Sequence, residues 1–455
     1  MSTKGTNIHP SKPLSDLLLD TASQLEMLYQ LRDNEGLNKD CEYLIPLLET
    51  AFFTDVSIAE ILSYDEASNH SRTQCENNIC YCFCEIAVRH GINHLCGWDI
   101  IGQSQQTKIG KLNSVLPNKK WKKEIIVKSN EFIQFCKGNN LFLKLEDDSN
   151  TSKHYDTDYI RVIQHLRHVG SEVNRKRANT YLRLLIDLKD LIARYIADND
   201  IVIIADTSKT LTPKELKGTV IQHFVDFNKI LTIIDNDEQF MAYSDKMMSD
   251  CERADVICKD DALLSTPKGK LYLETRMMKE LFTPVSHIRY VELSICYAIK
   301  AYKESSDNLM KQFNLYRIVM AYYEGFKKLY GFSDKKEQPS LMRILHDYCE
   351  NADNSILIKE AEVDFALKSI AASAEKYEYY RNVTTKNRDK GKDKVLEKFD
   401  LIIQLDPTEL FKDVWQFLGI RRPLYELTDM LAAKFLPEYW QNNSEHKKGT
   451  VAKKM

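Results

Sequence analysis

Glycine and proline are scarce in this chain, 15 and 11 in 455 positions. With so few of the residues that punctuate turns, and with Leu, Ile, Lys, Glu and Asp dominating, helix is the expected class. No run approaches the roughly 18 apolar residues of a membrane span. The opening MSTKGTNIHPSKP has no apolar core of signal-peptide length, so a cytoplasmic address without a membrane partner is expected. Charge of one sign is also missing. The formal net charge is −3, so no global field draws the molecule to nucleic acid, and a polyanion site has to be a local patch. Ile201 to Asp206 with Thr207-Ser208-Lys209-Thr210 suggests a strand feeding a phosphate loop, but the glycines of Gly-x4-Gly-Lys-Ser/Thr are absent, which disfavours ATP hydrolysis. No period of 20 to 50 residues marks a solenoid, and no Ser/His/Asp set or paired-carboxylate motif can be assembled.

What is present is ordinary for a globular protein: 43% hydrophobic and 28% charged residues, with enough length for two or three domains and a core that needs no disulfide or metal. Eleven cysteines, an odd number and mostly within apolar runs, read as reduced thiols. The pattern predicts an all-α chain of packed helical bundles with one short strand at most, Ile201 to Ala205. Four parts are expected: an N-terminal helical domain over 1–150, a middle one over 151–270, a C-terminal bundle over 271–440 and a polar tail over 441–455. Amphipathic helices are expected from Leu14, over Tyr43 to Phe53 and Val56 to Tyr64 with Thr54-Asp55 between them, and over Asn130 to Lys137. In the second region they are expected over Asp158 to His168, Val173 to Ala197, Thr212 to Ile234 and Asp237 to Cys258. A loop over Lys259 to Lys270, holding Pro267 and Gly269, separates these from Pro284 to Tyr302, Leu309 to Tyr330, Ser340 to Asn351, Ile358 to Tyr380, Lys394 to Gln404, Pro407 to Gly419 and Tyr425 to Ala433.

Side chains with chemistry are densest between Cys75 and Gly102, where Arg89, His90 and His94 stand among Cys80, Cys82, Cys84 and Cys96. Arg89 and His94 are five residues apart, about 140° on an unbroken helix. A break near Gly91 is needed for them to converge. A histidine titrates near neutral pH and can take a 2′-hydroxyl proton, and a guanidinium can stabilise the charge that grows on a phosphate. Such chemistry restricts the substrate to RNA. One Arg and one His supply half of an acid and base pair, so two copies across a two-fold axis would complete it.

Arg89-His90-x3-His94, with Val88 before it and Ile92 inside, resembles the motif of the HEPN superfamily of small helical bundles. The resemblance implies a metal-independent endoribonuclease acting as a homodimer without a cofactor, such as a toxin or defence effector, with Arg89 and His94 catalytic and His90 supporting. Arg161 and His168 fit the looser spacing. Arg381-Asn382 matches the start of the motif with Lys386 in place of the His, and Glu172 stands in that place after Arg167, which implies that later copies are inactive.

Other readings of the same residues remain open. Arg89 can pair with Glu85 or Asp99 while the histidines cap or pack. Cys80, Cys82, Cys84, His90, His94 and Cys96 are zinc-type ligands, but without two separated Cys-x-x-Cys or His-x3-His pairs no metal is expected. Lys119, Lys120, Lys122 and Lys123 around Trp121 can grip a phosphate backbone with the indole stacked on a base, or form a solvated loop. Arg175, Lys176 and Arg177 make a basic knot that can simply cover a helix. Tyr322, Tyr323, Tyr377, Tyr379 and Tyr380 suggest a tyrosine-lined surface, so a non-catalytic helical scaffold recruiting a partner protein through the third region is the alternative to the nuclease.

Overall fold

The computed structural model describes residues 14–34, 36, 38–97, 107–138, 165–166, 169–199, 201, 231–234, 237–239, 242, 267–305, 307–331, 340–350, 352–385, 399 and 401–436. The described residues are helical almost throughout and contain no strand. In chain order the α-helices are α1 (Leu14–Asn34), α2 (Leu44–Asn69), α3 (Gln74–Cys96), α4 (Lys108–Val115), α5 (Lys122–Gly138), α6 (Glu172–Asp198), α7 (Pro267–Glu304), α8 (Asn308–Tyr330), α9 (Leu341–Cys349), α10 (Asn354–Thr385), α11 (Pro407–Gly419) and α12 (Arg421–Phe435), with a 3-10 turn at Lys39–Cys41. Side chains set many starts. Thr73, Thr107, Ser171, Asp307 and Asp406 each accept a backbone N–H of the first turn that follows, and Pro407 stands where no N–H is required.

Two long helix pairs form the centre. α2 packs on α3 and α7 on α8, and α8 then lies against both α2 and α10. Apolar side chains from all of these helices join one continuous core. Polar contacts cross it as well: Asn314 Nδ2 donates to Ser63 Oγ at 3.3 Å and Lys300 Nζ to Glu76 Oε1 at 2.8 Å. The boundary expected at 270–271 falls inside α7, while those at 150–151 and 440–441 lie outside the described residues.

Several elements differ from expectation, each for a physical reason. Thr54 and Asp55 do not separate two helices. α2 runs through them because Thr54 Oγ1 donates to the Thr50 carbonyl at 2.7 Å and Asp55 pairs with Lys189 of α6 at 2.7 Å, so both find partners without ending the helix. Pro267 and Gly269, expected in a loop, lie in the first turn of α7, where a proline is tolerated. Pro284, expected to open a helix, lies in the interior of α7, beside a Thr283 hydroxyl that donates to the Lys279 carbonyl at 2.6 Å. α5, α10 and α12 all extend beyond their expected ends. Of Ile201 to Ala205 only Ile201 is described, and Thr207 to Thr210 lie outside the described residues, as do most of 158–168, 212–234, 237–258 and 394–404. No described helix is long and apolar enough to cross a membrane.

Gly91 does not break α3, which continues to Cys96 and stops at Gly97, φ 79°. Its role is close approach: a Cβ there would stand 2.3 Å from Tyr181 Oη and 2.6 Å from Ser57 Oγ. Gly91→Ala is expected to wedge α3 away from α2 and α6 and to destabilise the fold by about 1–3 kcal/mol. Tyr181→Phe in the same chain, which removes the obstructing hydroxyl, should restore part of that loss in a urea melt. Equal midpoints for wild type and Gly91→Ala would contradict this packing role.

Candidate nucleic-acid interface

The unbroken α3 decides the geometry of the motif residues. Arg89 is 3% exposed and His90 5%. The His90 Nδ1 atom stands 3.9 Å from Glu60 Oε1. His94 points along a different direction of the same helix, half-buried, its ring stacked on Phe53 at 4.8 Å and 17°. Within one chain the helix therefore sets Arg89 and His94 about 140° apart, the first inside the core and the second at its rim. Glu85, a possible partner for Arg89, lies against His165 at 3.2 Å and Asn174 at 3.4 Å; Asp99 is outside the described residues.

The cysteines around the motif do not assemble a metal centre. Among the described residues no group of three His, Cys, Asp or Glu side chains is placed to hold an ion, and all nine described cysteines are free thiols. Cys80 instead accepts from both terminal nitrogens of Arg317, at 3.5 and 3.4 Å. Burial pushes the thiols of Cys80, Cys84 and Cys96 upward, so they are protonated and unreactive at neutral pH. Arg317 is fully buried, with its guanidinium 4.3 Å from the centre of the Phe83 ring. Nothing in the run NLYRIVMAYYEGF marks it as interior. Arg381, the start of the third motif-like stretch, is buried too, its Nε 2.6 Å from Glu324 Oε1; Arg167, His168 and Lys386 lie outside the described residues.

A different cluster reaches solvent. From Lys108 to Gly138 the chain carries eight lysines against Glu124 and Glu131. Lys108 pairs with Glu49, Lys120 with Asp198, and Lys128 with Glu131 and Asp187, while Lys122 donates to the Leu116 carbonyl. Lys111, Lys119 and Lys123 are exposed and have no carboxylate partner among the described residues. Arg194, exposed on the facing helix α6, adds a further cation.

Trp121 sits at the centre of this edge, partly buried, with its indole Nε1 donating to Asp198 Oδ2 at 2.8 Å. Lys120 Nζ and the Arg194 guanidinium lie over its ring, 5.2 and 5.6 Å from the centroid. The hydrogen bonds from Lys120 and then Trp121 hold the Asp198 carboxyl below its ordinary range. The five residues expected to meet a polyanion are thus brought together on one edge, although Lys122 is spent on a backbone carbonyl and the indole is already engaged. Asp198 and Arg194 complete the cluster from 71 or more positions away; the only signal for them in the sequence is their place at the end of a long amphipathic helix.

The tyrosines of the third region are mostly interior. Tyr322, Tyr323 and Tyr377 are buried, and Tyr377 donates to Asp413 Oδ2 at 3.0 Å. What faces out from α10 is Ile358 (71% exposed), Phe365 (75%) and Tyr379 (49%), a stripe at multiples of seven residues. A groove of about 480 Å³ opens beside Ile358 against α12, lined by Ser355, Lys359, Glu426, Asp429 and Met430, and Lys359 bridges it to Glu426 at 2.5 Å.

Comparison of the chain with protein-family models, with curated proteins and with solved structures found no match.

Proposed function

We propose that this protein is a non-catalytic helical scaffold that docks RNA on the edge formed by α4, the turn before α5, α5 and the last turns of α6. The observation that carries this reading is the group of exposed cations Lys111, Lys119, Lys123 and Arg194, none neutralised by a carboxylate hydrogen bond among the described residues, in a chain whose net charge is −3. Exposed cations without a hydrogen-bonded carboxylate exchange their counterions for phosphates, a gain that depends on salt but not on base sequence. The reading does not use Arg89 and His94, since catalysis by that pair needs both groups at one phosphate and the first is enclosed by helices.

Fluorescence anisotropy with a labelled 15-nucleotide RNA tests this. Replacing Lys111, Lys119 and Lys123 together by Ala is expected to weaken binding at least tenfold at 100 mM salt and to reduce the slope of log K against log salt by roughly 0.7 per lysine lost. The RNA should remain intact in EDTA with wild type, Arg89→Ala and His94→Ala alike. Unchanged affinity in the triple variant would remove the docking surface. Cleavage by wild type that is lost in folded Arg89→Ala and His94→Ala would replace the scaffold with the ribonuclease that the motif implies.

A further inference from the structure

The turn that leads into α5 departs from ordinary backbone geometry. Trp121 has φ 71°, the one positive φ at a non-glycine position among the described residues, and a bulky residue holds that conformation only when its surroundings impose it. The end of α6 imposes it here. Tyr195 Oη donates to the Pro117 carbonyl at 3.3 Å, Asn199 Nδ2 to the Lys120 carbonyl at 3.2 Å, and the Trp121 indole to Asp198. The oxygen of Asp198 that takes the indole N–H, Oδ2, also accepts from Lys120 Nζ at 2.6 Å. One carboxylate oxygen therefore sits between an ammonium and an indole N–H, with the Arg194 guanidinium one helical turn away along α6 and over the same ring.

We infer that Asp198 is an internal stand-in for a phosphate, and that a phosphodiester of single-stranded RNA displaces it from Lys120 and Trp121, leaving the indole to receive the neighbouring base. This rests on the docking reading above and names the form of RNA and the gate at that site. Three observations lead to it. The groups around Asp198 Oδ2 are donors that serve a phosphate oxygen as well as a carboxylate. Lys119, its ammonium 5.8 Å from the centre of the Tyr43 ring, and Lys123 lie within two residues of Trp121, are exposed and carry no carboxylate partner among the described residues, so they can take the next phosphates along a strand. The Asp198 side chain is 38% exposed and that of Lys120 62%, and an ion pair so open to water contributes little, so exchange is cheap. Stacking on an indole needs a base that is not already paired and stacked in a duplex, which selects a single strand.

Binding of oligo(U) 15-mer and of a 15-base-pair RNA duplex to wild type, Asp198→Asn and Trp121→Leu tests the exchange. Asp198→Asn removes the competing charge and is expected to tighten oligo(U) binding roughly fivefold. Trp121→Leu is expected to weaken oligo(U) roughly tenfold while leaving the duplex nearly unchanged. If Asp198→Asn binds oligo(U) no tighter while the triple lysine variant still loses affinity, the stand-in is wrong and docking survives. Equal losses for oligo(U) and duplex in Trp121→Leu would likewise overturn the stacking role. If wild type binds neither RNA, docking and exchange fall together.

Discussion

Lys300→Met should cost about 3–5 kcal/mol of stability. The Lys300 ammonium and the Glu76 carboxylate meet at 2.8 Å with side-chain exposures of 3% and 2%, and the same ammonium donates to the His70 carbonyl at 2.9 Å. Glu304, at 3.2 Å, connects the pair to the surface. Methionine fills the space of the aliphatic stem but leaves Glu76 as a buried charge whose remaining support includes the Arg72 backbone N–H at 2.7 Å. An uncompensated buried charge costs far more than the pair contributes when intact. For that reason Lys300→Met combined with Glu76→Gln should recover a large part of the loss. Urea midpoints of the three variants check this, and a single-variant loss under 1 kcal/mol would show that the pair is not sealed from water.

The second large effect is a fall in stability with acid that runs through His287. Burial, the leading cause, holds this imidazole down to about 4, opposed by the bond its Nε2–H donates to the Gly325 carbonyl at 3.0 Å and reinforced by Lys328. In the unfolded chain the ring takes a proton near pH 6.5, while in the folded chain it stays neutral until about pH 4. Stability from this site is therefore complete above pH 6.5 and declines as pH falls toward 4, by up to roughly 3 kcal/mol. Other groups titrate over the same range, so the readout is the difference between wild type and His287→Gln. The variant is expected to be less stable at pH 7.5 yet to lose less between pH 6.5 and 4. Parallel profiles would remove His287 from the account.

How far the fold can be read from sequence depends on whether the signal is local. The start of α11 is legible to the residue because Asp406 and Pro407 mark it by backbone chemistry that needs no partner. α8 is read nearly as well, between Asp307 as cap and Gly331 at φ 82°. Thr54-Asp55 misleads because the group that satisfies Asp55, Lys189, is 134 positions away. Gly91 misleads because its lack of a side chain is used for packing, not for turning.

The candidate site divides along the same line. The basic edge around Trp121 is visible as a charge run, whereas its counterpart Asp198 is visible only in three dimensions. Spacing could pair Arg89 with His94 but could not say which faces the interior, because α3 is buried on nearly every side, nineteen of its 23 residues. A helix with so little polar face gives hydrophobic periodicity nothing to orient by.

α7 spans 38 residues with Pro284 in its interior, roughly 57 Å end to end, and it meets both α3 near Glu76 and α12 through Arg421, whose Nη1 is 2.8 Å from Glu292. Both fastenings, at Glu292 and Lys300, fall within about 12 Å of each other in the last third of the helix, so one short stretch joins α3 to α12. A change at that stretch is therefore felt on both sides at once, by the helices around Glu76 and by those around Arg421.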